Sequence, residues 1–279
     1  LKFRRVLFRS TMPHKIDVLA LLDKVLPAAQ IAGACNAVRM TADGQLEGDM
    51  FDGIGFVRAV QRQGLRVEGA KALVVGAGGV GSAIAASLAA HGAERIDLFD
   101  ARGQAAEALA QRIIAHCPGV TVNTGSNDPK GYDLVVNATP LGMNAGDPMP
   151  MDVTRIVPGT FVCDVVHSKE PTAFLRAALQ HGAVIQGGAD MLFEQIPAYL
   201  EFFGLPTTTP SSGKSYAAAS NISEACSNAF EGMQPTLRQV PPCVARFSTT
   251  ATFRPSCAAR MAHTYPPGPV PDRKSTRLN

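Results

Sequence analysis

The stretch Lys71-Ala-Leu-Val-Val-Gly-Ala-Gly-Gly-Val-Gly-Ser82 decides the fold of this 279-residue chain. A short apolar run leads into a Gly-x-Gly-x-x-Gly turn, and an alanine-rich helical segment follows, which is the order of a dinucleotide-binding strand–turn–helix unit. The three glycines allow the tight turn, the approach of a pyrophosphate to the backbone, and close helix–strand packing. We therefore predict that the cofactor phosphates bind at the helix N-terminus, beside Gly76, Ala77, Gly78, Gly79, Val80 and Gly81.

Asp100 indicates which dinucleotide this turn binds. It ends the next predicted strand, in Ile96-Asp-Leu-Phe-Asp100, at the usual distance of about 20 residues from the glycine motif. A carboxylate there accepts hydrogen bonds from the ribose hydroxyls and repels a 2′-phosphate, so the sequence favours NAD over NADP. Two alternatives stay open: Asp100 could be a helix N-cap or a solvated loop residue, and Arg102 could bind the 2′-phosphate of NADP or stack on the adenine.

The segments around the glycine turn alternate between strands and helices. Predicted strands cover Ala72–Val75, Ile96–Phe99, Val120–Asn123, Leu134–Asn137, Thr160–Val166 and Ala183–Gln186. Predicted helices cover Val80–His91, Gln104–His116, Pro171–His181 and Met191–Phe203. Apolar strands that alternate with helices of this length are typical of a parallel sheet covered on both faces. We therefore predict an α/β fold with a doubly wound parallel sheet, a Rossmann domain over residues 65–188.

Segments on both sides of this domain predict a second, incomplete α/β domain that would carry the substrate. Residues 11–64 form its main part: Ile16–Leu26 has helical spacing up to Pro27, Gly33–Met40 and Gln45–Phe51 read as extended, and Gly53–Gln63 reads as a helix. Residues 189–206 predict a C-terminal helix that returns to this domain.

Both ends of the chain are expected to lie outside the fold. Residues 1–10 are basic and lack the apolar stretch of a secretory signal, and with residues 272–279 they read as non-native sequence. Residues 207–279 are rich in Ser, Thr, Pro and Ala, with one short helical stretch near Ile222–Phe230. We predict that this tail is disordered or non-native, with a regulatory tail as the less favoured alternative.

Composition excludes several other classes of protein. The net charge of +3 is too small to indicate a nucleic-acid partner, and no apolar run is long enough to indicate a membrane protein. The cysteines form no CxxC or Cys/His cluster, so we expect no metal site and a reducing, cytoplasmic location. They are Cys35, Cys117, Cys163, Cys226, Cys243 and Cys257.

Five further motifs resemble those of the shikimate dehydrogenase family, including its quinate/shikimate and shikimate-dehydrogenase-like branches. They occur in the family's order between residues 11 and 205 and read Thr11-Met-Pro-His-Lys15, Gly33-Ala-Cys-Asn-Ala37, Asp49-Met-Phe-Asp-Gly-Ile-Gly-Phe56, Asn137-Ala-Thr-Pro-Leu-Gly-Met143 and Gly188-Ala-Asp-Met-Leu-Phe-Glu-Gln195. Any one of the five would be a weak signal, but their shared order makes the resemblance specific.

The resemblance implies a dehydrogenase that transfers hydride between a ring hydroxyl of shikimate or quinate and NAD(P), forming 3-dehydroshikimate or 3-dehydroquinate. Lys15 would be the general acid/base, with Asp52 beside it, and this chemistry needs no metal. Substrate contacts would come from Thr11, Asn36, Asp52, His167 and Gln195. The nicotinamide would lie beside Thr139, Gly142, Met143, Val165, Gly188 and Met191. The partners are thus small molecules, and the protein would be a monomer or homodimer.

Without the resemblance, the same residues have structural explanations. Lys15 would be a surface lysine, Asn36 a turn residue, Gln195 part of an exposed helix face and Met191 a core residue. Two functional alternatives also stay open. One is a dehydrogenase of related fold with a different substrate, such as a tetrahydrofolate or amino-acid dehydrogenase. The other is a non-catalytic regulatory protein that binds quinate or NAD.

The sequence departs from the family pattern at three places and lacks its first segment. Met50 and Phe51 replace a usual Asn-Thr pair and would make that edge of the pocket more apolar, His167 stands where a tyrosine is usual, and Phe99-Asp-Ala-Arg102 replaces the Asn-Arg-Thr of NADP-specific members. These changes indicate a divergent, NAD-using branch. The family's first strand–helix unit and its Ser-x-Ser pair do not occur, so we expect an N-terminally truncated chain that binds NAD weakly and turns over little substrate.

Overall fold

The computed structural model describes residues 14–204 and, as backbone only, the strand at residues 7–9. The predictions for Thr11, for the C-terminal tail and for Cys226, Cys243 and Cys257 lie outside these described residues. Within residues 14–204, no helix is both long and apolar enough to cross a membrane. Two sheets organise this part of the chain, one of four strands and one of six.

The smaller sheet is formed by the segments that precede the glycine turn. Its strands are β1 (Leu7–Arg9), β2 (Lys24–Val25), β3 (Ala37–Met40) and β4 (Leu46–Asp49), in the order β1-β3-β4-β2. Strand β3 is antiparallel to both β1 and β4, whereas β2 is parallel to β4. The helices of this part are α1 (Pro27–Ala32) and α2 (Asp52–Arg62), with a short 3-10 helix at Asp17–Leu21.

The larger sheet is parallel throughout. Its strands are β5 (Lys71–Val75), β6 (Arg95–Phe99), β7 (Thr121–Thr124), β8 (Leu134–Asn137), β9 (Phe161–Asp164) and β10 (Val184–Gln186). The helices are α3 (Gly79–Ala90), α4 (Gly103–His116), α5 (Ala173–Gln180) and α6 (Gly188–Phe202). The order β10-β9-β8-β5-β6-β7 reverses between β5 and β8, where doubly wound sheets bind their ligands. The predicted α/β fold is confirmed.

Both faces of the larger sheet are covered, which explains the continuously apolar runs in its central strands β5 and β8. In β5, Leu73 and Val75 pack with residues of α5, whereas Val74 packs with residues of α3 and α4. All three side chains are at most 2% exposed. Burial of one such side chain stabilises the fold by about 1.5–3 kcal/mol. The strand therefore holds the glycine turn on a rigid base.

Helix α2 packs between α3 and α6, and two of its glycines make this possible. A methyl carbon on Gly53 would lie 2.1 Å from the carbonyl oxygen of Ala83 in α3. One on Gly55 would lie 2.5 Å from the carbonyl oxygen of Met191 in α6. Both distances are far shorter than van der Waals contact, so only glycine fits at these two crossings.

Three local expectations differ from the structure. Ile16–Leu26 is not one helix, because it contains the 3-10 helix and then β2, whose Lys24 is paired with Glu47 of β4. Pro27 begins α1 instead of interrupting a helix, since its fixed φ and missing N–H suit the first helical position. Leu7–Arg9 pairs with β3, although the sequence placed this part of the chain outside the fold. The differences at Ile16–Leu26 and at Leu7–Arg9 arise from strand pairing, a long-range contact that local periodicity does not report.

Candidate active site

A buried lysine–carboxylate pair lies beside the glycine turn. Lys15 Nζ donates to Asp52 Oδ2, and the two groups form an ion pair. Lys15 is 8% exposed and Asp52 is 4% exposed. A buried charge needs a partner, because removing either member leaves the other uncompensated. The alternative that Lys15 is a surface lysine is therefore wrong.

Asn36 holds the second oxygen of the same carboxylate. Its Nδ2 donates to Asp52 Oδ1 at 2.8 Å, and its Oδ1 accepts from the backbone N–H of Phe51 at 3.0 Å. Because the backbone can only donate here, the second bond fixes which end of the amide faces Asp52. The structure thus joins Lys15, Asn36 and Asp52, which are distant in sequence, in one hydrogen-bonded cluster, the Lys15 cluster.

The end of α1 and the start of α2 position the residues of the Lys15 cluster. Gly33 ends α1 with a left-handed φ of +62°, so the chain turns three residues before Asn36. The backbone N–H of Cys35 then donates to the carbonyl of Lys15 at 2.7 Å. Asp52 is the first residue of α2, where the helix dipole favours a carboxylate.

The glycine turn forms a cradle at the start of α3. Gly76 has a φ of +107°, and a methyl carbon there would lie 2.7 Å from the carbonyl group of Ala138. One on Gly81 would lie 1.8 Å from the carbonyl oxygen of Gly76, whereas one on Gly78 would meet no atom within 4 Å. The first N–H groups of a helix have no intrahelical acceptors, so this open space faces backbone donors. The cradle therefore fits a pyrophosphate.

Asp100 is tied to the glycine turn. Its Oδ2 accepts from the backbone N–H of Ala77 at 2.8 Å, and its Oδ1 accepts from that of Arg102 at 2.9 Å. The N-cap of α4 is Arg102, so the N-cap alternative for Asp100 is wrong. The Arg102 guanidinium is exposed, with its Nε 3.5 Å from Asp100 Oδ1. The Asp100 carboxylate is consequently fixed beside the cradle.

A second buried carboxylate, Asp164, organises the carboxyl ends of β8 and β9. It accepts hydrogen bonds from Asn137 Nδ2 at 3.0 Å, from Thr172 Oγ1 at 2.6 Å and from the Val166 N–H at 3.0 Å. Burial raises the pKa of Asp164, and these three bonds offset part of the rise. Asn137 Oδ1 in turn accepts from the backbone and the hydroxyl of Thr139, which fixes the loop that follows β8.

Asp164 and Thr172 are not among the residues that the sequence predicts for this site. The available signal was position, because a polar residue that ends a buried parallel strand lies at the edge where ligands bind. Thr172 carried a second signal as a threonine next to Pro171, where the predicted helix begins: its hydroxyl accepts from the N–H of Leu175 at 3.3 Å and caps α5.

Gln195 of α6 is buried against α2. It is 1% exposed, and its Oε1 has no hydrogen-bond partner in the described part of the chain. A methyl carbon on Gly55 would lie 2.8 Å from the Cβ of Gln195. The alternative that Gln195 belongs to an exposed helix face is therefore wrong. Met191, one turn earlier, is 5% exposed and belongs to the main core.

The remaining predicted residues lie on the loops after β8, β9 and β10. A methyl carbon on Gly188 would lie 2.5 Å from the carbonyl oxygen of Val165, so the start of α6 touches the end of β9. Gly142 has a left-handed φ of +102°. Met143 and His167 are exposed, the former by 60%.

Met50 and Phe51 do not form an apolar pocket edge as expected. Met50 is 3% exposed and packs in a core cluster with residues such as Ala29 of α1 and Val38 of β3. The ring of Phe51 lies 5.0 Å from that of Tyr199 and 5.2 Å from that of Phe202, both in α6. The Phe51 side chain thus joins the segment before α2 to α6.

The chemistry of these groups narrows the class of protein. Hydride transfer to or from an alcohol needs a nicotinamide site and, beside it, a group that exchanges the hydroxyl proton. The cradle at the strand-order switch and the adjoining Lys15 cluster meet the two needs, and together with the doubly wound sheet they define a nicotinamide-dependent dehydrogenase.

Sequence comparison identifies the family, although no family model matches the chain. The chain is 36% identical over 208 residues to the shikimate dehydrogenase (NADP(+)) of Rubrobacter xylanophilus. This match covers 71% of this chain and 72% of that protein. The chain is 40% identical over 202 residues to the protein of the same name from Salinibacter ruber, which covers 67% of this chain and 69% of the relative. The chain belongs to the shikimate dehydrogenase family.

Solved structures agree with this family. Shikimate 5-dehydrogenase from Thermus thermophilus, in complex with NADP(H) and shikimate, matches with a TM-score of 0.63 and 33% identity over 73% of this chain and 74% of that one. Quinate dehydrogenase from Corynebacterium glutamicum, in complex with NAD, matches with a TM-score of 0.62 and 32% identity over 71% and 73%. The 5-ketofructose reductase of a Gluconobacter strain matches with a TM-score of 0.64 and 30% identity, also over 71% and 73%.

Proposed function

We propose that the protein is an NAD(P)-dependent dehydrogenase that acts on shikimate or quinate. It transfers hydride between a ring hydroxyl carbon and the nicotinamide, and it forms 3-dehydroshikimate or 3-dehydroquinate. The observation that carries this proposal is the buried Lys15–Asp52 pair next to the glycine cradle. The names of the relatives at 36% and 40% identity support the substrate class.

Lys15 exchanges the proton of the reacting hydroxyl. In the oxidation, Lys15 takes the hydroxyl proton as the neutral amine and becomes the ammonium, and in the reverse direction the ammonium gives a proton to the carbonyl oxygen. Asp52 hydrogen-bonds the same hydroxyl and orients the ammonium. Because Asn36 holds the other carboxylate oxygen, the pair is in place before the reaction begins.

The chain's residues also fit the cofactor. When bound, the nicotinamide supplies the hydride acceptor for the oxidation. The cradle would hold its phosphates, and Asp100 the ribose hydroxyls. The loop after β8 with Thr139, Gly142 and Met143, together with Val165, Gly188 and Met191, would line the nicotinamide. We infer a preference for NAD, because the Asp100 carboxylate is fixed beside the cradle and would repel a 2′-phosphate, although the relatives at 36% and 40% identity are named for NADP(+).

Gln195 is the best-placed additional substrate ligand. A buried carbonyl oxygen without a donor costs about 1–3 kcal/mol, which a substrate hydroxyl would recover. Asn36 already bonds Asp52 through Nδ2 and the Phe51 N–H through Oδ1. Substrate could therefore bond only the second hydrogen of Nδ2 or the second lone pair of Oδ1. Thr11 and His167 stay predictions that rest on the family motifs.

We also propose a cytoplasmic protein that works as a monomer or homodimer. Cys35, Cys117 and Cys163 form no disulfides, in keeping with a reducing compartment. Cell fractionation and sedimentation equilibrium would test the two parts of this proposal separately.

Substitution of Lys15 tests the mechanism. Lys15→Ala should lower kcat for shikimate or quinate oxidation by about 10²–10⁴-fold, the usual contribution of a positioned acid/base group. NAD(P) binding, followed by the fluorescence of the reduced cofactor, should change little, because the cradle is built from backbone. Lys130→Ala, an exposed lysine, serves as the matched control and should keep the parent rate. Turnover by Lys15→Ala at the parent rate would show that the mechanism is wrong.

A further inference from the structure

The aliphatic stem of Lys15 lies directly against Gly79, the first residue of α3. A methyl carbon on Gly79 would be 3.2 Å from both Cβ and Cδ of Lys15, and 3.7 Å from the Cβ of Ala34. Carbon atoms in comfortable contact are about 3.5–4.0 Å apart. Even the smallest side chain at residue 79 would therefore push the lysine stem.

Neither the cofactor motif nor the backbone requires glycine at this position. Residue 79 is one of the variable places in Gly-x-Gly-x-x-Gly. Its φ is outside the left-handed region, and it begins a regular helix, in which alanine is more favourable than glycine. Among the described residues, the contact with Lys15 is thus the structural reason for a glycine at residue 79.

We propose that Gly79 is a positioning residue for the proton transfer. Its single hydrogen lets the Lys15 stem lie close to the cradle and thereby sets where Nζ meets Asp52. The proposal rests on the proposed function for the role of Lys15. The contacts run from Gly79 to the Lys15 stem, from Nζ to Asp52 and from Asp52 to Asn36. The cofactor cradle and the proton-exchanging group therefore form one packed unit.

Gly79→Ala and Gly79→Val test this proposal by two independent measurements. In the cofactor-free protein, Lys15 should be acylated severalfold faster by an amine-reactive reagent, because a displaced stem loosens its ion pair with Asp52. Mass spectrometry of the Lys15 peptide measures this rate. In steady-state kinetics with shikimate or quinate, kcat should fall about tenfold for Gly79→Ala and further for Gly79→Val. The melting temperature of Gly79→Ala should not fall, since alanine favours the helix.

Two other glycines give matched controls. A methyl carbon on Gly78 would meet no atom within 4 Å, so Gly78→Ala should weaken cofactor binding and leave the acylation rate of Lys15 unchanged. Gly119, which lies far from the cradle in the turn after α4, also has open space around it. Gly119→Ala should keep the parent values in both measurements.

An acylation rate and a kcat in Gly79→Ala equal to those of the parent would overturn the proposal, and so would an equal change of the acylation rate in Gly78→Ala. Failure of the proposed function has a different signature. It would leave the turnover of Lys15→Ala intact, whereas the acylation measurement depends on no turnover at all.

Discussion

Burying Lys15 and Asp52 removes two charges from water, which costs several kcal/mol for each ion, and their attraction recovers this only when the geometry is good. Asn36 improves the geometry by donating to the second carboxylate oxygen. Such a pair contributes little net stability, so stability does not explain why it is buried. Placement beside a dinucleotide cradle does, because a dehydrogenase needs a proton-exchanging group that is fixed before the substrate arrives.

At the same scale, the proposed role of Asp100 in the choice between NAD and NADP can be tested. Asp100→Ala removes both the charge that repels a 2′-phosphate and the acceptor of the Ala77 N–H. The ratio of kcat/KM with NAD to that with NADP should fall about 10- to 100-fold, as expected for hydrogen bonds to a charged group. Asp100→Asn is the matched variant, because it removes the charge and keeps an acceptor. A ratio unchanged in both variants would contradict the assignment.

The motifs predicted every member of the Lys15 cluster, since each motif carries one of its side chains. They did not predict that Asn36 binds Asp52 through its amide nitrogen, because that orientation depends on the backbone of Phe51. Nor did they predict Asp164, whose bonds to Asn137 and Thr172 join segments that are distant in sequence.

At the scale of elements, strand β6 carries a polar network on one face. Asp97, which is 5% exposed, accepts from Arg95 Nε at 2.7 Å, from Asn123 Nδ2 at 3.0 Å and from the Tyr132 hydroxyl. Burial raises the pKa of Asp97, but the donors outweigh it and the pKa lies below its ordinary value. Burial, followed by the bond to Asp97, raises the pKa of Tyr132 to about 12. The network fixes β6 through its side chains.

The lowered pKa of Asp97 predicts a pH dependence of stability. Its contribution is fully present above the unfolded-state pKa of about 3.9 and is lost as the pH falls through the lower folded-state pKa. Asp97→Asn should lower the free energy of unfolding at pH 7 by about 1.5–3 kcal/mol, as for hydrogen bonds to a charged group. It should also flatten the acid limb of stability, measured by urea unfolding between about pH 2.5 and 7.

A surface pair provides the comparison for this prediction. Asp128 is paired with Arg155 through bonds of 2.7 Å, but both side chains are more than 40% exposed. Asp128→Asn should therefore cost clearly less stability than Asp97→Asn. An equal loss in the two variants would show that the β6 network has no special role.

Local patterns predicted the elements of the larger sheet well, because buried parallel strands are continuously apolar and their helices are long. They failed where a neighbour decides the conformation. Lys24–Val25 is a strand only because it pairs with β4, and the periodicity of Ile16–Leu26 cannot report that pairing. Asp97 was read as one residue of an apolar strand, although it has partners in β7 and in the loop before β8.

At the scale of the molecule, the site is assembled from three separated parts of the chain. Lys15, Asn36 and Asp52 precede the larger sheet, the cradle lies within it, and Gln195 follows it. The strand-order reversal between β5 and β8 could be predicted as a consequence of a doubly wound fold. The close crossings of α2 with α3 and α6 could not, since a glycine in a helical pattern does not reveal which backbone approaches it.

Helix α2 packs between α3 and α6, but these helices are synthesised at different times. The Lys15 cluster lies in the segments up to α2, whereas Gln195 lies in α6. The segments up to α2 leave the ribosome first, and α6 emerges only after the whole larger sheet. Ribosome-bound chains stalled before α6 should therefore leave the amides of α2 less protected from hydrogen exchange than chains stalled after α6. Equal protection of α2 in the two stalled chains would contradict this expectation. A nascent chain thus exposes an unfinished lysine pocket until its last described helix is made.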